Sequence, residues 1–133
     1  MEINSINEWM NAMTDAIENR DFATLQKLES TSMGWEQEGE EIKAEVEMFG
    51  EKFRIGKMMG EFYVNYVDED DSGTYYLRKD AYIRVGCVDE DGYPSGWFET
   101  FEEAVKTLDI YAEKKTGVPV EDATFTVKFV KGQ

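Results

Sequence analysis

The spacing of apolar residues changes twice along this chain, and those changes decide what it can fold into. Ile6, Trp9, Met10, Met13 and Ile17 recur at helical spacing. From Ile42 the period falls to two. Ile42, Ala44, Val46 and Met48 alternate with Lys43, Glu45 and Glu47, which is the pattern of a strand with one buried face. After Thr100 the helical period returns, with Phe101, Ala104, Val105, Leu108, Tyr111 and Ala112 along one stripe. Helical ends around an alternating middle predict an α+β fold.

Local signals set the boundaries. Ser5 followed by Glu8 forms a capping box ahead of the first helix. Asn19-Arg20-Asp21 breaks it, and Asp21 caps a short second helix carrying Phe22, Leu25 and Leu28. The pair predicts an N-terminal helical hairpin. Phe49-Gly50-Glu51 reads as a hairpin turn into a return strand ending at Gly56, with Gly56 and Gly60 marking a bend. Further strands are expected at Glu61–Val67, Tyr75–Arg78, Ala81–Val88 and Gly96–Phe98. Thr100 and Glu103 cap the long helix, Lys114 and Lys115 complement its dipole, and Gly117 and Pro119 end it. Phe125, Val127 and Phe129 alternate in a last strand. The expected architecture is an N-terminal helical hairpin, a mainly antiparallel sheet of five to seven strands, a long helix packed on one face, and a C-terminal strand. At 133 residues this is one domain spanning 1–133.

Charge bears on partners more than on fold. The chain holds 29 Asp+Glu against 14 Lys+Arg and no histidine, a net charge of -15. Disordered acidic chains are poor in aromatics, and this one is 14% Phe, Trp and Tyr. Such a balance opposes direct contact with nucleic-acid phosphates and favours basic proteins or cations. The single cysteine, Cys87, allows no internal disulfide and fits a reducing compartment. Met1-Glu2-Ile3-Asn4 lacks the basic and apolar regions of a signal peptide. No apolar run reaches the length of a membrane span. A cytoplasmic protein with no membrane partner is expected.

The inventory of reactive groups is thin. Without histidine there is no imidazole acid–base pair, histidine triad or histidine metal site. Cys87, in Val85-Gly86-Cys87-Val88, reads as a buried thiol with no activating base. Gly56-Lys57-Met58-Met59-Gly60 lacks the spacing of a phosphate loop. Asp68, Asp70, Ser72 and Gly73 match the first half of an EF-hand, but its last ligand position is Lys79. A carboxylate-based enzyme is the third choice, and the chain is read as a non-enzyme with no metal or cofactor.

The acids themselves are the candidate site. Glu36, Glu38, Glu40, Glu41, Glu45 and Glu47 crowd the approach to the first strand and its outer side. Asp68, Glu69, Asp70 and Asp71 form a second cluster. Alternate residues of a strand stand about 6.6 Å apart, comparable in density with duplex phosphates at roughly 3.4 Å per strand. In charge and size, though in no sequence motif, the chain is similar to nucleic-acid mimics of the anti-restriction and anti-CRISPR type. The expected function is therefore inhibition of a basic, nucleic-acid-handling protein such as a nuclease. The alternative is an acidic structural or adaptor domain that assembles through a tyrosine-rich sheet face. Tyr63, Tyr66 and Tyr75 would centre that face, because Phe62–Val67 is apolar on both sides.

Overall fold

The computed structural model describes residues 5–29, 41–58, 60–67, 75–86, 88, 92, 95–117 and 126–132. The first helix, α1, runs Ile6–Glu18. Ser5 caps it by accepting the Glu8 N–H on its hydroxyl at 3.2 Å. Arg20 turns the chain with φ of 54°, and Asp21 accepts both the N–H and the hydroxyl of Thr24 at the start of α2, Phe22–Glu29. The hairpin closes over apolar side chains: Trp9, Met13, Ile17, Leu25 and Leu28 are all buried. Trp9 keeps its indole N–H satisfied by donating to the Leu28 carbonyl at 3.0 Å, as a buried indole must.

Six strands follow among the described residues: β1 Glu41–Met48, β2 Glu51–Met58, β3 Glu61–Val67, β4 Tyr75–Leu77, β5 Ile83–Val85 and, after α3 at Phe101–Thr116, β6 Thr126–Gly132. Their order across the sheet is β5-β4-β3-β2-β1-β6, and every pairing is antiparallel. α1, α2 and α3 lie on one face. Ala44, Val46, Phe53, Ile55, Phe62, Val64, Leu77 and Val127 point into them and are buried. Each such side chain contributes about 1.5–3 kcal/mol when fully covered. Ring contacts tie the layers together: Phe101 meets Phe62 at 5.6 Å, Tyr111 meets Phe53 at 5.5 Å, and Trp9 meets Phe129 at 5.6 Å. The α+β architecture is the one expected. Among the described residues no helix is long and apolar enough to cross a membrane.

α3 begins and ends where its caps place it. The Glu103 N–H donates to the Thr100 hydroxyl at 3.1 Å, and Gly117 stops the helix in the left-handed region at φ of 75°. Asp109 sits on its buried side and takes a forked bond from Arg20, with Nε at 3.0 and 3.1 Å and Nη2 at 2.8 Å. The same guanidinium donates to the Ile17 carbonyl at 3.0 Å, so one arginine caps α1 and fastens it to α3.

Three expectations need correction. β2 does not end at Gly56 but continues to Met58. Gly56 lies inside the strand because the Tyr63 ring of β3 lies across it; a Cβ there would stand 2.6 Å from Tyr63 Cζ. The strands expected at Tyr75–Arg78 and Ala81–Val88 shorten to three residues each. Ala81 at φ of 64° and the Tyr82 N–H on Asp80 make a turn before β5. After β5, Gly86 turns at φ of 79°. Arg78 reinforces that turn by donating to the carbonyls of Val85, Gly86 and Val88. The strand expected at Gly96–Phe98 is a single bridge, with Phe98 and Phe62 exchanging N–H bonds of 2.8 Å. Cys87 and Phe125 lie outside the described residues.

Candidate functional site

The strand pairings define one end of the sheet residue by residue. Thr126 lies opposite Glu47, Glu47 opposite Lys52, and Lys52 opposite Val67. Tyr75, at the start of β4, lies opposite Val85 and falls one residue inside that row, because its neighbour Tyr76 pairs with Asn65. The Phe49-Gly50 turn closes β1 onto β2 at this same end, with Met48 facing Glu51. Three connections therefore leave from, or arrive at, this end: the residues joining Val67 to Tyr75, those following Gly86, and those leading into Thr126.

Those connections carry the charge. Asp68, Glu69, Asp70 and Asp71 follow Val67; Asp89, Glu90 and Asp91 follow β5; Glu121 and Asp122 precede β6. No Lys or Arg falls among residues 68–74, 89–91 or 118–125. All 14 of the chain's cations belong to the described residues, where they nearly balance the acids of the helices and strands. Nearly half of the 29 acids lie outside the described residues, so the net charge of the protein resides almost entirely in its connections. Glu36, Glu38 and Glu40 also lie outside the described residues, and they lead into β1 at the opposite end. Glu41 opens β1 there, facing Gly132.

Glu45 and Glu47 do point away from the helices, but not into an acidic row. Glu45 lies between Arg54 of β2 and Lys128 of β6, and Arg54 Nε reaches its carboxylate at 3.5 Å. Glu47 faces Lys52, and Lys43 shares the same side of β1. This outer surface is a lattice of alternating charge. A shallow depression of about 350 Å³ opens on it beside the acidic end, lined by Glu45, Glu47, Lys52, Arg54 and Lys128 among others. A second groove, about 400 Å³, runs between α1 and β6 past Asn7, Asn11, Thr14 and Lys128.

The three singled-out tyrosines do not share a face. Tyr63 is on the outer side, where its ring meets Tyr76 at 6.0 Å and Trp97 at 5.8 Å. Tyr66 is on the helix side against Phe53, at 5.4 Å. Tyr75 has the same parity as buried Leu77 but is exposed at the sheet's end. The reason is the register: residues 63 and 66 differ by an odd number, so a strand sends them to opposite sides. Two-sided apolarity of β3 is thus met within the chain, by the helices on one side and by Tyr76 and Trp97 on the other.

Other charged groups at this end are engaged. Tyr111 donates to Glu51 at 2.8 Å and Lys115 also bonds that carboxylate. Burial, then the bond to Glu51, pushes the Tyr111 hydroxyl up to about 12. Near the other end of α3, burial raises the Glu29 carboxyl above its ordinary value, and Glu29 Oε1 is buried without a hydrogen-bond partner among the described residues. Glu102 meets Lys106 at 3.7 Å and Glu103 meets Lys79 at 3.9 Å. The segment that resembled half an EF-hand is flanked by β3 and β4, not by helices. Among the described residues no three acidic or thiol side chains converge as a metal site would require.

Some of this was missed in the sequence although a signal existed. Asp109 falls four residues after Val105 and three before Ala112, on the apolar stripe, which calls for a buried cation. The Phe49-Gly50 hairpin turn, by contrast, stands where the sequence indicates it, as a two-residue loop in which Asn-Gly is usual. The chain finds no match among protein-family models, among curated proteins or among solved structures.

Proposed function

We propose that this protein is a non-enzymatic binding module that docks a basic protein through the acid-bearing end of its sheet. The observation that carries the reading is the division of charge. A nearly neutral framework holds connections with acids and no cations, and nine of those acids, in 68–71, 89–91 and 121–122, are attached at one end of the sheet against three, Glu36, Glu38 and Glu40, at the other. Acids required only for solubility would be interspersed with cations over the whole surface. Acids gathered at one end create a directed field that steers a cationic surface toward it. Proteins that hold nucleic acid own such surfaces, so an inhibitor of a nuclease or similar protein is the class the chemistry fits. The Glu45 and Glu47 lattice, being neutralised by Arg54, Lys128 and Lys52, supports this role less than the connections do.

The test has two steps. Immobilised protein captures its partner from lysate, and a salt gradient releases it. The purified partner is then assayed for nucleic-acid binding with and without the module. Wild type should displace nucleic acid, and a variant with Asp68, Asp70 and Asp71 changed to Asn and Glu69 to Gln should not. A partner that holds the module and nucleic acid at once would refute the inhibitory reading.

A further inference from the structure

The acid-bearing end also exposes apolar side chains. Phe49 is 46% exposed at the tip of the β1–β2 hairpin, and Tyr75 and Val85, directly paired across β4 and β5, are 39% and 59% exposed. Val88, just beyond, is 50% exposed. Phe49 is the informative member. It occupies the first central position of a two-residue turn with φ of 48°, and Gly50 follows at 79°. Both central residues of such a turn require the left-handed region, which suits Asn, Asp or Gly. A bulky aromatic is disfavoured there. Its ring recovers little by packing, because nearly half of it remains in water. A residue that costs the fold on both counts points toward a role outside the fold.

We infer that Phe49 is an apolar anchor for the partner, with Tyr75 and Val85 as a second contact at the same end. The occupant is a basic polypeptide segment that presents an apolar side chain among its lysines or arginines. The complementarity follows from the chain itself: the acids tethered to Val67, Gly86 and Thr126 attract the cations, and the exposed rings take the apolar group. Aromatic side chains ringed by polar groups are the usual energetic centres of interfaces. This inference rests on the acid-end reading above and adds what distinguishes a bound segment from any cation.

Two synthetic 20-residue peptides of equal charge provide the probes, one of Lys and Ser, the other with Leu at every third position. Fluorescence anisotropy gives the affinity of each at fixed, low salt. Wild type should bind the Leu-containing peptide about five- to tenfold more tightly, the effect of burying the exposed half of a Phe ring. Phe49→Asn should remove that preference, leave the Lys/Ser affinity unchanged, and raise Tm by about 3–6 °C through relief of the turn. Preference retained in Phe49→Asn would overturn the assignment of the anchor. Equal binding of both peptides by wild type would overturn the apolar contact while leaving the acid-end reading standing. Binding of neither peptide would remove that reading itself.

Discussion

Asp109→Ala isolates a buried ion pair that joins the helical hairpin to α3. The Asp109 side chain is 4% exposed and that of Arg20 17%. Three N–O contacts of 2.8 to 3.1 Å hold the pair, and Arg20 is further committed to the Ile17 carbonyl. Removing the carboxylate takes the forked bond from a guanidinium that cannot shed its proton. The expected loss is about 3–5 kcal/mol, the cost of leaving a buried charge uncompensated. At roughly 2.1 cal/mol/K per residue of unfolding entropy, that loss lowers Tm by about 10–18 °C. Urea unfolding of Asp109→Ala, Arg20→Met and the double variant gives the coupling energy. The double variant should lie well above the sum of the singles, because it contains no orphaned charge. A single-variant loss under about 1 kcal/mol, or strict additivity, would show that solvent already screens the pair.

Four further expectations follow from particular contacts. Glu29→Gln should raise stability at neutral pH, because burial disfavours its charged form. The gain should vanish as pH falls below the carboxyl's ordinary 4.5, where the native Glu is protonated too. Tyr111 has a folded pKa above its unfolded value of 10.0, so its contribution is full below that pH and lost as pH rises toward about 12. Thermal melts of wild type against Tyr111→Phe should converge over that alkaline range. Gly56→Ala should cost about 1–3 kcal/mol, since its Cβ meets a Tyr63 ring held by Tyr76 and Trp97; an unchanged urea midpoint would mean the ring moves freely. Thr100→Ala should cost about 1 kcal/mol through the lost cap of α3, read as a drop in the same midpoint.

Elements with a strong period were legible in the sequence, and those made by tertiary contact were not. Ser5, Asp21, Thr100 and Gly117 act where their chemistry indicates, because a cap is a local interaction. Gly56 looked like a break because its neighbour's ring is invisible in one dimension. The shortening of β4 and β5 depends on Ala81, a residue with no turn signature, entering the left-handed region. The site divides the same way. The density of acids was plain, but which of them face cations was set by pairing Glu45 with Arg54 and Lys128 and Glu47 with Lys52. Nor could spacing alone reveal that Val67, Tyr75, Val85 and Thr126 share one end, because that follows from β6 returning to pair with β1.

The measurement closest to the central claim is an NMR titration of the isotopically labelled protein with a short lysine peptide at low salt. The expected shifts concentrate on the described residues of one end: Gly50, Val67, Tyr75, Val85, Gly86 and Thr126. They should fade as salt shortens the Debye length from about 30 to 8 Å. Shifts centred instead on the outer lattice around Glu45 and Arg54, or spread evenly over the sheet, would contradict the assignment of binding to that end.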